Sequence, residues 1–78
     1  MDNIALPTPT MEEIHLMAWA RIRAKRDELM AVTDWTQISD SPLSAEKKAE
    51  FAGYRQALRD LPQSADNPDL VVWPQKPE

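Results

Sequence analysis

The stretch Thr33-Asp34-Trp35-Thr36-Gln37 interrupts two runs of helical spacing, and that break confines the chain to helices that fold back on each other. Before it, Ile14, Ala18, Ile22 and Leu29 fall on one stripe with Trp19 and Met30 on its flank, as a helical period requires. After it, Phe51, Tyr54, Leu58 and Leu61 recur at spacings of 3, 4 and 3 residues, a tight apolar seam. Burying an aromatic side chain removes about 150–250 Å² from water. Trp35 is therefore expected as the pin that closes a small helical hairpin.

Local signals set the ends of both helices. Thr10-Met11-Glu12-Glu13 is a capping box, in which the Thr hydroxyl accepts from the third helical amide and the Glu reaches back. The first helix is expected over about 10–32. Ser44 suits an N-cap and Glu46 the positive end of the helix dipole, so the second helix is expected over about 44–61, stopped by Pro62. Gly53, the single glycine, costs about 1 kcal/mol in a helix interior, and the close approach of another element would account for it. Ala20, Ala24 and Ala31 mark a smooth side of the first helix where another backbone could come near.

The remaining segments are irregular. Residues 33–43 form a connection in which Asp34 and the run Asp40-Ser41-Pro42 carry turn chemistry. Residues 1–9 hold Pro7 and Pro9 and read as an extended arm with Ile4 and Leu6 free to dock. Residues 63–78 begin with a turn-rich link, and Leu70-Val71-Val72-Trp73 is then β-prone but confined by Pro74 and Pro77 to an edge strand or a polyproline-like segment. Trp73 favours a tail that folds back over the helices. The fold class is mainly α: a two-helix hairpin (10–62) with an extended N-terminal arm and an extended, proline-rich C-terminal tail.

A domain of 78 residues buries only a modest share of its chain's surface and is marginally stable alone. With no cysteine, a disulfide cannot supplement its core, and a partner subunit is the remaining brace. The net charge of −4 argues against general binding to nucleic acid. No run approaches the roughly 20 apolar residues of a membrane span, and the first residues do not have the pattern of a signal peptide, so a cytosolic protein is expected. Glu12 and His15 form half of a di-iron helix motif, but a second histidine does not exist. Neither a cysteine nucleophile nor a glycine-rich phosphate loop is available, so no enzyme, cofactor or metal site is expected. Arg21, Arg23, Lys25 and Arg26 make the middle of the first helix basic, with Arg23–Asp27 an expected i,i+4 pair; bidentate contacts of these arginines with carboxylates are the alternative.

Five blocks then occur in series: Arg23-x-x-Arg26-Asp27-x-Leu29-Met30, Thr33-Asp34-Trp35-Thr36-Gln37, Asp40-x-Pro42-Leu43, Tyr54-Arg55-Gln56-Ala57-Leu58-Arg59-Asp60-Leu61-Pro62 and Trp73-Pro74. Over residues 19–77 this series resembles the tail assembly chaperones of tailed bacteriophages, including the related C-terminal part of tail fibre assembly proteins. Phe51 departs from that pattern, which often has Trp there, and the sequence ahead of Trp19 is shorter than in longer relatives.

The resemblance implies a non-enzymatic phage protein that acts in tail or tail-fibre assembly, in the host cytoplasm, with a tail or fibre protein as its partner. Such a protein would cover apolar surface on a subunit until the correct neighbour displaces it. The alternative is an adaptor or decoration that stays in the virion tail or fibre, and a small transcriptional or anti-host regulator ranks below both. A second copy of the chain is a further candidate partner. The motif positions carried over are Arg23, Arg26, Asp27, Asp34, Trp35, Tyr54, Arg55, Arg59, Asp60 and Trp73, joined by Phe51 and Leu58 of the seam. Trp35, Tyr54 and Trp73 are expected as packing anchors, and the arginines as partners of Asp27, Asp34 or Asp60.

Overall fold

The computed structural model describes residues 7–78. Its first helix, α1, spans Met11–Thr33 and starts at the capping box. The Thr10 hydroxyl accepts from the Glu13 amide at 3.1 Å, and the Glu13 carboxylate accepts from the Thr10 amide at 3.2 Å. Two otherwise orphaned donors at the helix start are thus satisfied. Glu12 and Glu13 also place negative charge at the positive end of the helix dipole. Residues 7–9 are exposed and not helical, and Ile4 and Leu6 of the expected arm lie outside the described residues.

The chain leaves α1 through a 3₁₀ turn, Asp34–Gln37, and crosses to α2, Ala45–Asp60. The Ser44 hydroxyl accepts from the Lys47 amide at 3.1 Å, which fixes the start of α2. Beyond Asp60, Pro62 lies inside a second 3₁₀ turn, Leu61–Gln63. A third, Pro68–Leu70, is capped by the Asn67 side chain.

Phe51, Tyr54 and Leu58 form the core, with Leu61 buried beyond them. Leu29 and Met30 of α1, Leu43 of the connection and Trp73 of the tail pack against this seam. The α2 period thus decides which face of the hairpin closes, and the structure is a mainly α, two-helix hairpin. The tail folds back, as Trp73 led us to expect, and the Lys25 ammonium sits 4.5 Å from the Trp73 ring centroid.

Three expectations are refined. Of the two forms expected for Leu70–Trp73 the edge strand does not occur, since no strand is present among the described residues. Leu70 and Val72 face water while Val71 and Trp73 are half-buried, so the segment alternates without a neighbouring strand to pair with. A Cβ added at Gly53 would meet open space, so no element among the described residues approaches it closely. The α1 stripe is covered only in part: Ala18, Ile22 and Leu29 are half-buried, but Ile14 is exposed. The hairpin covers α1 toward its C-terminus, and among the described residues no other element packs on the helix start. The molecule is consequently long, with a radius of gyration of 18.0 Å and principal extents of 65 × 27 × 17 Å. A compact chain of this length would have a radius of gyration of about 11–12 Å.

Candidate functional site

The polar stretch between the helices holds the hairpin shut, but not by the residue the sequence suggests. Trp35 keeps 47% of its surface exposed and rests on Phe51, ring centroids 6.4 Å apart and tilted by 51°. Its neighbours Thr33 and Thr36 are the buried ones. In a 3₁₀ turn of three residues per revolution, Thr33 and Thr36 fall on the same side. That side faces α2, so Trp35 is turned outward.

Arg55 of α2 reaches into this layer and is only 8% exposed. Its Nη1 donates to the Met30 carbonyl at 2.7 Å and to the Thr33 hydroxyl at 2.9 Å. Its Nη2 donates to Asp34 Oδ1 at 2.8 Å. The Met30 carbonyl belongs to the last turn of α1, where carbonyls lack partners along the helix, so the guanidinium caps one helix from another. The Thr33 hydroxyl donates in turn to the Leu29 and Met30 carbonyls. The Thr36 hydroxyl donates to the Thr33 carbonyl at 2.6 Å. Gln37 Nε2 then spans Thr36 Oγ1 and the Lys48 carbonyl of α2, at 3.1 and 3.0 Å. Arg55 Nε is buried without a partner. The planar fork explains why arginine, not lysine, occupies this position, since three acceptors lie around one rigid group.

The other charges lie at the surface. Asp27 accepts from Arg26 Nε and Nη2 at 3.1 and 3.0 Å, and Arg23 lies over the Trp19 ring at 5.9 Å. The expected Arg23–Asp27 pair is thereby corrected, because the adjacent residue takes the carboxylate. Arg59 donates to Gln56, which donates to Asp60, so Arg59 and Asp60 are linked through an amide and not directly. Asp34 serves Arg55, not a turn of its own, and the connection is turned by Ser41, whose hydroxyl accepts from the Leu43 amide at 3.4 Å. Of the twelve sequence-chosen residues, Asp34 and Arg55 meet in the polar latch that Arg55 makes with Met30, Thr33 and Asp34, Phe51, Tyr54, Leu58 and Trp73 lie in or against the core, and Trp35 lies on its edge. Arg23, Arg26, Asp27, Arg59 and Asp60 stay outside both. Sequence reasoning missed Thr33 and Thr36 as individual residues. Their signal was two hydroxyls three residues apart at the end of a helix.

Among the described residues, Leu70 and Val72 of the tail are exposed, and the helical body carries two clusters of exposed apolar side chains. One lies around the turn, where Val32, Trp35 and Ile38 are about half-exposed. The other lies at the start of α1, where Met11, Ile14, Leu16 and Met17 are exposed. Among the described residues, no group of three or more His, Asp or Glu could hold a metal ion, and no helix is long and apolar enough to cross a membrane.

The body that carries the latch is also the part that compares with known proteins. The family model of the phage tail assembly chaperone protein matches residues 19–78, which takes in most of α1, the latch, α2 and the folded-back tail. The chain belongs to the phage tail assembly chaperone family. Neither the curated proteins nor the solved structures gave a match. Membership in this family places the protein's work in the host during virion assembly and makes a phage tail protein its partner. It is not a known enzyme family.

Proposed function

We propose that the chain is a non-enzymatic assembly chaperone that binds a tail or tail-fibre subunit and shields its apolar surface until the next subunit displaces it. The observation that carries this reading is the apolar surface at the turn. Val32, Trp35 and Ile38 are about half-exposed on a frame held by five linked polar groups. Exposed aromatic and aliphatic side chains on a preformed scaffold lose little freedom on binding and are typical anchors at interfaces. Trp35 is the central contact, with Asp34 beside it exposed on its free edge. Phe51, Tyr54, Arg55, Leu58 and Trp73 hold the frame, and Arg23, Arg26, Asp27, Arg59 and Asp60 are exposed or half-exposed charges elsewhere on the body that are free to add polar contacts to the client. The same surface could serve a second copy of the chain. With a net charge of −4, neither nucleic acid nor an anionic membrane is its counterpart.

Co-expression of the full chain with each tail and fibre protein of the same phage, followed by pull-down, tests this reading. One of them should co-purify with the parent and be lost with Trp35→Asp. If every tail and fibre protein folds and stays soluble without the chain, and none binds it, the chaperone reading is wrong. Mass spectrometry of purified particles separates the transient role from that of a resident adaptor, because only the adaptor appears in stoichiometric amounts.

A further inference from the structure

The end of the chain lies on the hairpin in the manner of a docked peptide. Val71 leaves the last 3₁₀ turn at φ −68° and ψ 131°, close to polyproline II values. Beyond it, Val71, Pro74 and Pro77 are half-buried, while Val72, Gln75 and Glu78 are exposed. That period of three is the repeat of a polyproline II helix. Trp73 is half-buried beside this stripe, packed on the Phe51, Tyr54 and Leu58 seam with the Lys25 ammonium over its ring. Among the described residues, no hydrogen bond or ion pair joins Val72–Glu78 to the body. The turn before it is anchored differently: Pro68 is buried, and the Leu70 and Val71 amides donate to the Asn67 and Pro68 carbonyls. A polyproline II segment has no internal hydrogen bonds, so it keeps one shape docked or free. Held by side chains alone, it leaves its seat without orphaning a polar partner on the body.

We propose that the seat of Trp73, formed by Lys25 of α1 and the seam of α2, is a binding site for an extended client segment in which an aromatic residue is followed directly by proline. The chain's own Val71–Pro77 is the strap that fills this seat until the client segment replaces it. This rests on the chaperone reading and names the chemistry of the client segment. The ammonium selects an aromatic face, and a following proline holds the backbone extended beside the ring. The strap itself is the specimen of what fits. Its tether gives it an effective concentration in the millimolar range, so a loose segment in solution competes poorly. A client already held at the Trp35 surface presents its own segment tethered in the same way, which makes release of the strap depend on capture. The tail of a second copy is a poorer occupant. From the buried Pro68 to Trp73 an extended chain reaches only about 16 Å, no more than the 17 Å thickness of one molecule. Trp73 can lift from its own seat, but with Pro68 in place it does not span to the seat of a neighbour.

The test uses the full chain labelled with 5-fluorotryptophan, its Trp73 fluorine signal assigned with Trp73→Phe. The probe is a synthetic peptide of residues 69–78. As peptide is added, the Trp73 signal should move to the position of a solvent-exposed indole while that of Trp19 stays. Fluorescein-labelled peptide should bind full-chain Trp73→Ala at least tenfold more tightly than the parent, and a peptide carrying Trp73→Ala should bind neither. Circular dichroism checks that the Trp73→Ala chain is folded, and the fluorine titration of the parent decides the matter if it is not. A Trp73 signal unmoved at the highest soluble peptide concentration, or equal affinity for a folded Trp73→Ala and the parent, would overturn the proposal. Addition of the captured tail or fibre protein should move the same signal. A client captured with that signal unmoved overturns the proposal and leaves the chaperone reading intact. A dimer that Trp73→Ala dissociates would assign the seat to a second copy's tail and overturn it as well. If the parent captures no tail or fibre protein at all, the chaperone reading fails and the client segment with it.

Discussion

Arg55 is the residue whose loss should cost this hairpin most. Its Nη1 donates to the Met30 carbonyl and the Thr33 hydroxyl at 2.7 and 2.9 Å, inside the hairpin and away from water. Hydrogen bonds from a charged donor contribute about 1.5–3 kcal/mol each. The Nη2 bond to Asp34 is shorter than most, but the Asp34 side chain is 66% exposed, and a pair so open to water contributes about 0–1 kcal/mol. Arg55→Ala should therefore cost about 3–5 kcal/mol. A domain of this size has about 4–12 kcal/mol in all. Asp34→Asn should cost about 1 kcal/mol or less. Arg55→Lys should recover less than half of the loss, because one ammonium cannot span acceptors arranged around a planar fork. Urea unfolding followed by circular dichroism measures all three variants. The reasoning fails if Arg55→Ala lies within about 1 kcal/mol of the parent, or if Asp34→Asn is as costly as Arg55→Ala.

Gly53→Ala should stabilise the protein by about 1 kcal/mol and raise its melting temperature by roughly 4–8 °C, since the added methyl meets open space in a helix interior; a lower melting temperature would contradict this. Thr36→Val keeps the shape but removes the donor to the Thr33 carbonyl and the acceptor for Gln37, and should cost about 1–2 kcal/mol in the same urea experiment. Trp35→Ala should cost about 1–2 kcal/mol, roughly half the loss at a fully buried aromatic, yet abolish client capture in the pull-down. A variant that unfolds outright or still binds would show that Trp35 is a core residue after all.

Much of the fold was legible because its signals are local. Thr10 with Glu13 and Ser44 are capping residues whose partners lie three positions away, and the structure places them at the helix starts. The α2 seam was legible because one period runs without interruption from Phe51 to Leu61. Of the latch, Asp34 was expected to partner an arginine, but that Arg55 also meets Met30 and Thr33 across more than twenty residues of chain is a pairing that no spacing records. Trp35 misled for a related reason. A large aromatic in a turn signals that burial would be favourable, but the direction of the turn is set by Thr33 and Thr36 on either side of it. Ile14 shows the same limit on α1: apolar periodicity identifies a face that calls for cover, not whether the chain itself supplies it.

The cation–π contact between Lys25 and Trp73 divides α1 into two mechanical parts. From there to Thr33 the helix is braced by the core and the latch; ahead of it Ile22 and Ala18 are still half-buried, and the turns before Ala18 run on as a cantilever. An isolated helix this short is marginal in water because its first turn is costly to nucleate. Here the nucleus is always present at the braced end, and the capping box holds the far tip against fraying. Amide exchange should accordingly slow in a gradient from Met11 toward Thr33, with no break at Lys25. A spar maintained in this way keeps its shape without a folding step of its own.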